Sequence, residues 1–351
     1  MSIKDGKEIS TEQRRIALEQ NNLRIKRIDK TSTHDPVTVE NAELAKVNLS
    51  VERVDAKTEA EIIAAAKDTD IIMTRYAQMS RSVIGELPKL QAIIRYGIGY
   101  DTIDIDAATD YHVLAVNVPD FCYEEVSNHA MGMLLMLARK LMQQSNTLKK
   151  DGWQAAYLIA PMGSITGQTL GIIGCGHIGR IVARKAQCFG MNVIGYDPHV
   201  DQNLTKEAGI TLKSLREVMQ ESDYISCNPL LWKETFHIVG EKEFRMMKPT
   251  AYIVNTSRGP VIDQQALVKA LKEKWIAGAG IDVFEKEPIG VNDPLLKMNN
   301  VILTAHTAFY SDASDIRVRT SVAQEAVRIA LGHLPKNIVN KGVKPKVNLL
   351  K

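Results

Sequence analysis

Short apolar runs alternate with stretches of helical spacing along most of the chain, the mark of parallel sheets built from strand-helix-strand units. In the first third, Leu23 to Ile28, Asn48 to Val54, Asp70 to Thr74, Gln91 to Tyr96 and Leu114 to Val118 read as strands, with helical stretches such as Glu59 to Lys67 between them. These make a small doubly wound domain. A second series follows at Leu170 to Ile173, Val193 to Tyr196, Tyr224 to Cys227, Ala251 to Asn255, Gly278 to Val283 and Val301 to Thr304. Glu124 to Lys140 and Ser314 to Leu331 are expected to be long helices flanking the second sheet at each end, and the Met-rich face of the first reads as core. The fold class is therefore α/β, with two doubly wound parallel-sheet domains, one inserted into the other, and a site in the cleft between them. The first twenty or so residues, with Thr11-Glu-Gln-Arg-Arg, read as a solvated helix.

The second series opens on Thr169-Leu-Gly-Ile-Ile-Gly174-Cys-Gly176-His177-Ile178-Gly179-Arg180. Leu170 to Ile173 suit a buried strand, Gly174 a sharp turn, Gly176 a close approach of backbone to a pyrophosphate, and Gly179 tight helix-strand packing. The helix beginning there aims free N–H groups and its positive dipole end at phosphates. Asp197 ends the next strand, where a carboxylate accepts both hydroxyls of an adenosine ribose and repels a 2′-phosphate. This order of strand, glycines, helix, strand and acid predicts a Rossmann domain that binds NAD rather than NADP.

Composition narrows the class further. The 351 residues are 45% apolar and 24% charged, enough for two domains with their own cores, and the formal charge of +3 offers no nucleic-acid footprint. Cys122, Cys175, Cys188 and Cys227 show no paired spacing, which favours reduced thiols and a cytoplasmic setting. No metal-binding box is present. The longest apolar run, around Met131 to Ala138, is too short to span a bilayer, and the charged opening Met1 to Glu8 lacks the apolar core of a signal peptide, so no membrane partner is expected.

Three further strand ends carry candidate chemistry. Arg258, in Asn255-Thr256-Ser257-Arg258-Gly259, offers a planar guanidinium that can grip a 2-oxo acid by carboxylate and carbonyl together. Asp282, Glu285 and Glu287 follow the next strand, and His306 ends the last. A carbonyl that accepts hydride and becomes an alcohol needs a proton donor, and imidazole suits that task near neutrality. A carboxylate on its far nitrogen would fix the ring and favour imidazolium. Arg75 and Arg95, both at predicted strand ends, could hold a second anionic group on the substrate; surface arginines with packed stems are the competing reading.

These residues resemble the D-isomer-specific 2-hydroxyacid dehydrogenases, from about Asp70 to Asn340, through Arg95-Tyr96-Gly97-Ile98-Gly99, Asn117-Val-Pro, the Gly174 motif, Asn255-Thr-Ser-Arg-Gly, Asp282-Val-Phe-Glu-Lys-Glu-Pro and His306. The resemblance implies a flavodoxin-like substrate domain, residues 1–121 with 309–351, and an NAD-binding Rossmann domain, residues 122–308. It implies catalytic roles for Arg258, Glu287 and His306, with Glu285 a near miss, and cofactor contacts at Gly174, Gly176, His177, Ile178, Gly179, Asp197, Cys227, Pro229 and Thr256. Asp282 falls where the family holds the nicotinamide amide. The Gly97 to Gly99 backbone falls where the family binds the substrate carboxylate, and Arg75, Arg95, Tyr96, Gly97, Ile98 and Phe309 are the substrate residues expected. A two-fold homodimer is also implied. Within the family the chain looks most like the branch containing the C-terminal-binding-protein corepressors and enzymes similar to 3-phosphoglycerate dehydrogenase.

The chain departs from the family in two places. Cys227-Asn-Pro229-Leu-Leu-Trp232 stands where the family often has His-x-Pro-Leu-Thr-Pro, and Phe309 stands where the corepressors carry tryptophan, which leaves an aromatic wall without an indole donor. Two classes of function stay open on the sequence alone: an NAD-dependent dehydrogenase interconverting a 2-oxo acid and a D-2-hydroxy acid, and an NAD(H)-responsive binding protein. A complete arginine, glutamate and histidine set favours the dehydrogenase, since a binding module needs no proton donor.

Overall fold

A computed structural model describes residues 23–29, 36–157, 159 and 162–350. The helix expected around Thr11 lies outside the described residues. The chain forms two compact units, one running up to Phe121 and resuming at Asp312, the other from Cys122 to Ser311.

The first unit holds five parallel strands, β1 (Ile25–Asp29), β2 (Val51–Asp55), β3 (Ile71–Thr74), β4 (Ala92–Arg95) and β5 (Leu114–Val116), in the order β2-β1-β3-β4-β5. Every residue of β3, β4 and β5 is buried, because helices cover both faces of the sheet. One face is packed by Ile62, Val83, Ile84, Leu87 and Leu90, each almost wholly removed from water. Burying a side chain of that size contributes roughly 1.5 to 3 kcal/mol. Helix Glu59–Ala66 starts where it does because Thr58 and Glu61 cap each other reciprocally, the Glu61 N–H donating to Thr58 Oγ1 and the Thr58 N–H to Glu61.

The second unit holds seven parallel strands: β6 (Thr169–Ile173), β7 (Asn192–Tyr196), β8 (Thr211–Leu212), β9 (Tyr224–Cys227), β10 (Tyr252–Asn255), β11 (Gly278–Ile281) and β12 (Val301–Leu303). Their order, β12-β11-β10-β9-β6-β7-β8, reverses direction beside β6, the point where open α/β sheets hold ligands. Eleven strands fall inside or within a residue of the predicted runs; β8 does not figure among them. It is a two-residue edge paired only with β7, too short to leave a pattern.

Two helices differ from expectation. The predicted helix from Glu124 to Lys140 spans Tyr123–Ala138, and a second helix, Leu141–Asp151, follows directly. Lys140 takes a left-handed conformation (φ 49°), which ends the first helix and turns the chain into the next. The C-terminal helix, Asp312–Ala330, read from its pattern as flanking the second sheet and from the resemblance as part of the substrate domain, belongs to the first unit, where it packs on helix Thr38–Leu44. Its tie is Arg319, whose Nε and guanidinium nitrogen donate to the fully buried Glu40 carboxylate at 2.8–3.2 Å.

Candidate active site

Gly174 lies at the end of β6 with φ +87°, a conformation side chains rarely adopt, and a Cβ there would sit 2.6 Å from the Pro229 backbone nitrogen. At Gly179 a Cβ would collide with the Gly174 carbonyl, so the helix His177–Cys188 can begin directly against the turn. Gly176, its N-cap, has open space on its Cβ side and no side chain caps the helix end. The loop is fixed from behind: buried Arg180 donates to the Cys175 carbonyl at 2.9 Å. Asp197, just past β7, accepts from the Cys175 N–H and from the His199 N–H, both at 2.9 Å. This arrangement suits a dinucleotide: uncapped N–H groups at an open glycine, and a carboxylate at the neighbouring strand end. Thr256, beyond β10, adds a buried hydroxyl with no protein partner. His177 is exposed and stacks on Tyr123 with ring centroids 5.0 Å apart, while Ile178 is half-buried against the core.

Cys227 corrects an expectation. Its side chain is wholly buried within the core cluster and burial pushes the thiol up to about 12, so only its backbone is left at the strand end for a cofactor. Pro229 contributes backbone that walls the Gly174 turn.

Past β10 the chain makes a turn held by Asn255, whose side chain donates to the Arg258 carbonyl (2.9 Å) and accepts from the Ser257 N–H and hydroxyl. Arg258 is half-buried, one nitrogen donating to the Ser257 carbonyl at 2.9 Å. Gly259 next to it lies so close to the Phe284 and Glu285 backbone that no Cβ fits. The loop carrying Arg258 is thereby pressed onto the loop carrying Glu287.

The His306 ring lies 2.7 Å through Nδ1 from Glu287 Oε2, and Glu287 Oε1 accepts the Phe284 N–H at 3.0 Å. Burial pushes the Glu287 carboxyl up, but the His306 hydrogen bond and charge, the Phe284 N–H and the Arg258 charge outweigh it and hold the group below the usual carboxylate range. Glu285, by contrast, pairs with His237 at 2.7 Å and accepts the Gln264 N–H. The geometry thus separates the two acids, with Glu287 on His306. Phe309 stands edge-on to the His306 ring, centroids 6.2 Å apart.

His306 itself has φ +53°, uncommon for a residue with a side chain and concentrated at functional sites. Asp282 holds it there. This fully buried carboxylate takes hydrogen bonds from Thr304 Oγ1 (2.5 Å), the Thr307 N–H (2.9 Å) and the Ala308 N–H (3.0 Å), and its own carbonyl accepts the His306 N–H. His129 bonds Thr304 from the other side at 3.0 Å. Fully buried and taken up by these neighbours, the Asp282 carboxylate shows no exposed oxygen for the nicotinamide amide that the resemblance places there, which corrects that expectation. Sequence reasoning missed the structural task of Asp282 and the parts of Asn255, Gly259, Thr304 and His129. Only the Asn-Thr-Ser-Arg-Gly run, an Asx-type turn ending in glycine, carried a readable signal.

In the first unit, Gly97 takes φ +144°, and a Cβ there would meet the Arg95 guanidinium, which is folded over the Gly97 backbone. Asn117 donates to the Ile98 carbonyl at 2.7 Å and the Val118 N–H to the Gly97 carbonyl at 3.1 Å, tying the loop to the chain after β5. The Tyr96 side chain is buried and its hydroxyl donates to Glu40 at 2.9 Å, which leaves only its backbone for the expected substrate contact. Burial raises its phenol well above the ordinary value. Arg75 is ion-paired with Asp315 at 3.1 Å.

A family described as D-isomer specific 2-hydroxyacid dehydrogenase, NAD binding domain, matches residues 131–308. Over 285 residues the chain is 40% identical to glyoxylate reductase of Korarchaeum cryptofilum, covering 80% of this chain and 86% of that protein. The chain belongs to the D-isomer specific 2-hydroxyacid dehydrogenases. It is 37% identical over 292 residues to D-3-phosphoglycerate dehydrogenase of Methanocaldococcus jannaschii, which covers 83% of this chain but 55% of that longer protein. Among solved structures, D-lactate dehydrogenase from Aquifex aeolicus, complexed with NAD and lactic acid, superposes with a TM-score of 0.78 at 30% identity, covering 90% of this chain and 99% of that one. As a member of this family the chain is an NAD-dependent oxidoreductase of 2-hydroxy acids, and these relatives lend no support to the binding-protein alternative.

Proposed function

We propose that this 2-hydroxyacid dehydrogenase reduces a small 2-oxo acid of the glyoxylate class to its hydroxy acid, with His306 as proton donor, Glu287 as the group that orients it, and Arg258 as substrate anchor. The observation that carries the reading is the 2.7 Å bond between His306 Nδ1 and Glu287 Oε2. It points Nε2 away from the acid as the nitrogen that gives its proton to the oxygen becoming the hydroxyl. Bound NADH supplies the hydride to the carbonyl carbon. Glu287, held ionised, stabilises the charged ring, and Arg258 grips the carboxylate and polarises the carbonyl. Oxidation of NADH with a panel of 2-oxo acids tests the activity: glyoxylate and pyruvate should be turned over, and loss of activity with the whole panel would end this reading.

Asp197 sets the choice of cofactor in this proposal. Its carboxylate accepts two backbone N–H groups and faces the ribose position with negative charge, so NADH should be preferred to NADPH. Kinetics with both cofactors check it, and Asp197→Ala should narrow the gap. Use of NADPH as good as that of NADH by the unaltered protein would refute it.

We also propose an isologous homodimer built on the second unit. The apolar face of helix Tyr123–Ala138 is spent within its own unit, where Val126, Met131, Leu134 and Leu137 are buried. The surplus lies just beyond: no residue of helix Leu141–Asp151 is buried, and Leu141, Met142, Leu148, Trp153 and Met162 are all exposed. Sedimentation should give twice the chain mass of 39.0 kDa; a monomer at micromolar concentration would count against it.

A further inference from the structure

In the second unit the loop after β9 is pinned both at the glycine turn and beside Asp197. It leaves β9 flush against the turn: the Asn228 N–H donates to the Ile173 carbonyl at 2.8 Å, and a Cβ on Gly174 would sit 2.6 Å from the Pro229 nitrogen. Three residues after Pro229, the Trp232 ring meets the His199 ring with centroids 5.7 Å apart and planes nearly perpendicular, at 84°. His199 Nε2 also lies 3.7 Å from Glu234 Oε2, on the same loop. The His199 N–H in turn donates to Asp197 Oδ1 at 2.9 Å. One loop thus reaches from the turn before helix His177–Cys188 to the neighbourhood of Asp197, within a single unit.

This loop holds its indole out and does not bury it. The Trp232 N–H donates to Thr235 Oγ1 at 2.9 Å, that hydroxyl donates to the Leu230 carbonyl at 2.6 Å, and the Thr235 and Phe236 N–H groups return to the Trp232 carbonyl at 3.1 and 3.0 Å. Thr235 is buried and anchors the turn, yet Trp232 keeps 44% of its surface in water. Perpendicular rings meet edge to face, so at least one face of the indole is left uncovered by His199. A tryptophan so placed, with its backbone tied, offers a flat apolar surface to a flat partner.

The partner follows from the covalent order of the cofactor. A dinucleotide with its pyrophosphate at the helix N-terminus and its adenosine ribose on Asp197 carries the adenine directly on that ribose, past the acid as counted from the glycine turn. We propose that Trp232 is a cofactor-binding residue whose open face stacks on the adenine, and that His199 braces the indole for it. The proposal rests on the reading of Asp197 as the acceptor of the adenosine ribose. Trp232 stands where the family often has proline, so the contact belongs to this chain's own residues. Because NADH and NADPH carry the same base, the indole adds affinity for both and leaves the choice between them to Asp197.

The test uses the whole protein, with AMP as the probe that carries the adenine, and with NADH. Stacking of a base on an aromatic side chain is worth about tenfold in affinity. In calorimetry, Trp232→Ala should therefore raise the Kd for AMP and for NADH by about tenfold, and Trp232→Phe, which keeps an aromatic face, by much less. The ratio of NADH to NADPH affinity should not move in either variant. The chain has three tryptophans, Trp153, Trp232 and Trp275. AMP should quench the emission of the unaltered protein and leave that of Trp232→Phe unchanged, a readout that a merely structural indole would not give. An unaltered Kd for AMP in Trp232→Ala overturns the proposal, as does quenching that survives in Trp232→Phe. If the alanine variant does not fold, the quenching of the phenylalanine variant decides alone. A cofactor ratio indifferent to Asp197→Ala overturns the reading of Asp197 instead, and the AMP titration still decides the role of Trp232.

Discussion

Replacing His306 with alanine should lower kcat by roughly a hundred- to ten-thousand-fold, the usual worth of a positioned general acid, while NADH still binds. Only His306 among the described histidines has Glu287 on one nitrogen, and its turn is held by Asp282 through three hydrogen bonds independent of the imidazole. The alanine variant should therefore keep its fold, and fluorescence titration with NADH should give an affinity near that of the unaltered protein. Because position 306 has φ +53°, His306→Asn is the gentler control: asparagine accepts that backbone more readily than alanine but has no proton to give near neutrality. Loss of NADH binding along with turnover would mean that the turn had collapsed, and near-normal turnover in both variants would remove His306 from the chemistry. The pair has a signature in pH as well. Glu287 is held below the ordinary carboxylate range, so it stays charged through the range in which the imidazole works. With Glu287→Gln the positive ring loses its counter-charge and gives up its proton more readily, so the pH optimum for reduction should fall. Glu285→Gln should leave the profile in place, since Glu285 answers His237 and the start of helix Gln264–Lys272.

Arg258→Lys should fail almost as badly as a neutral substitution. The anchor works by offering two parallel donors in a plane, and an ammonium offers one compact charge. Losing a hydrogen bond to a charged group costs about 1.5 to 3 kcal/mol, roughly 10- to 100-fold in kcat/KM. The loss should appear in both kcat and KM, because in the proposed role the arginine holds the carbonyl that reacts as well as the carboxylate that merely binds. A lysine variant with unaltered kcat would show that Arg258 serves binding alone.

Much of the fold was written in plain view because parallel strands buried on both faces leave continuous apolar runs. The same double burial hides which way each side chain points. Along β9 the residues Tyr224, Ile225, Ser226 and Cys227 are all buried, so no alternation told that the Cys227 thiol enters the core. The task of the Tyr96 side chain was hidden for a related reason: its partner Glu40 is 56 residues away, and no local pattern reports such a contact. The apolar pattern of helix Asp312–Ala330 did not report its home either, which only the resemblance suggested, since its tie runs from Arg319 to Glu40 across 279 residues. At the candidate site Arg258, Glu287 and His306 were legible because together they fall on successive strand ends beyond a dinucleotide motif, although any one of them alone has a structural reading. The residues that aim them were not legible. Asp282 does its structural work through backbone N–H groups of its neighbours, and backbone groups are the same in every sequence.

One absent carbon atom has a wider effect than its size suggests. Since Gly259 lies flush against Phe284 and Glu285, the substrate anchor and the acid pair are mounted on what is mechanically a single block. Neither can drift without dragging the other. Change toward longer, shorter or more highly charged substrates is therefore channelled away from this block, toward positions whose replacement leaves the spacing between its two loops untouched.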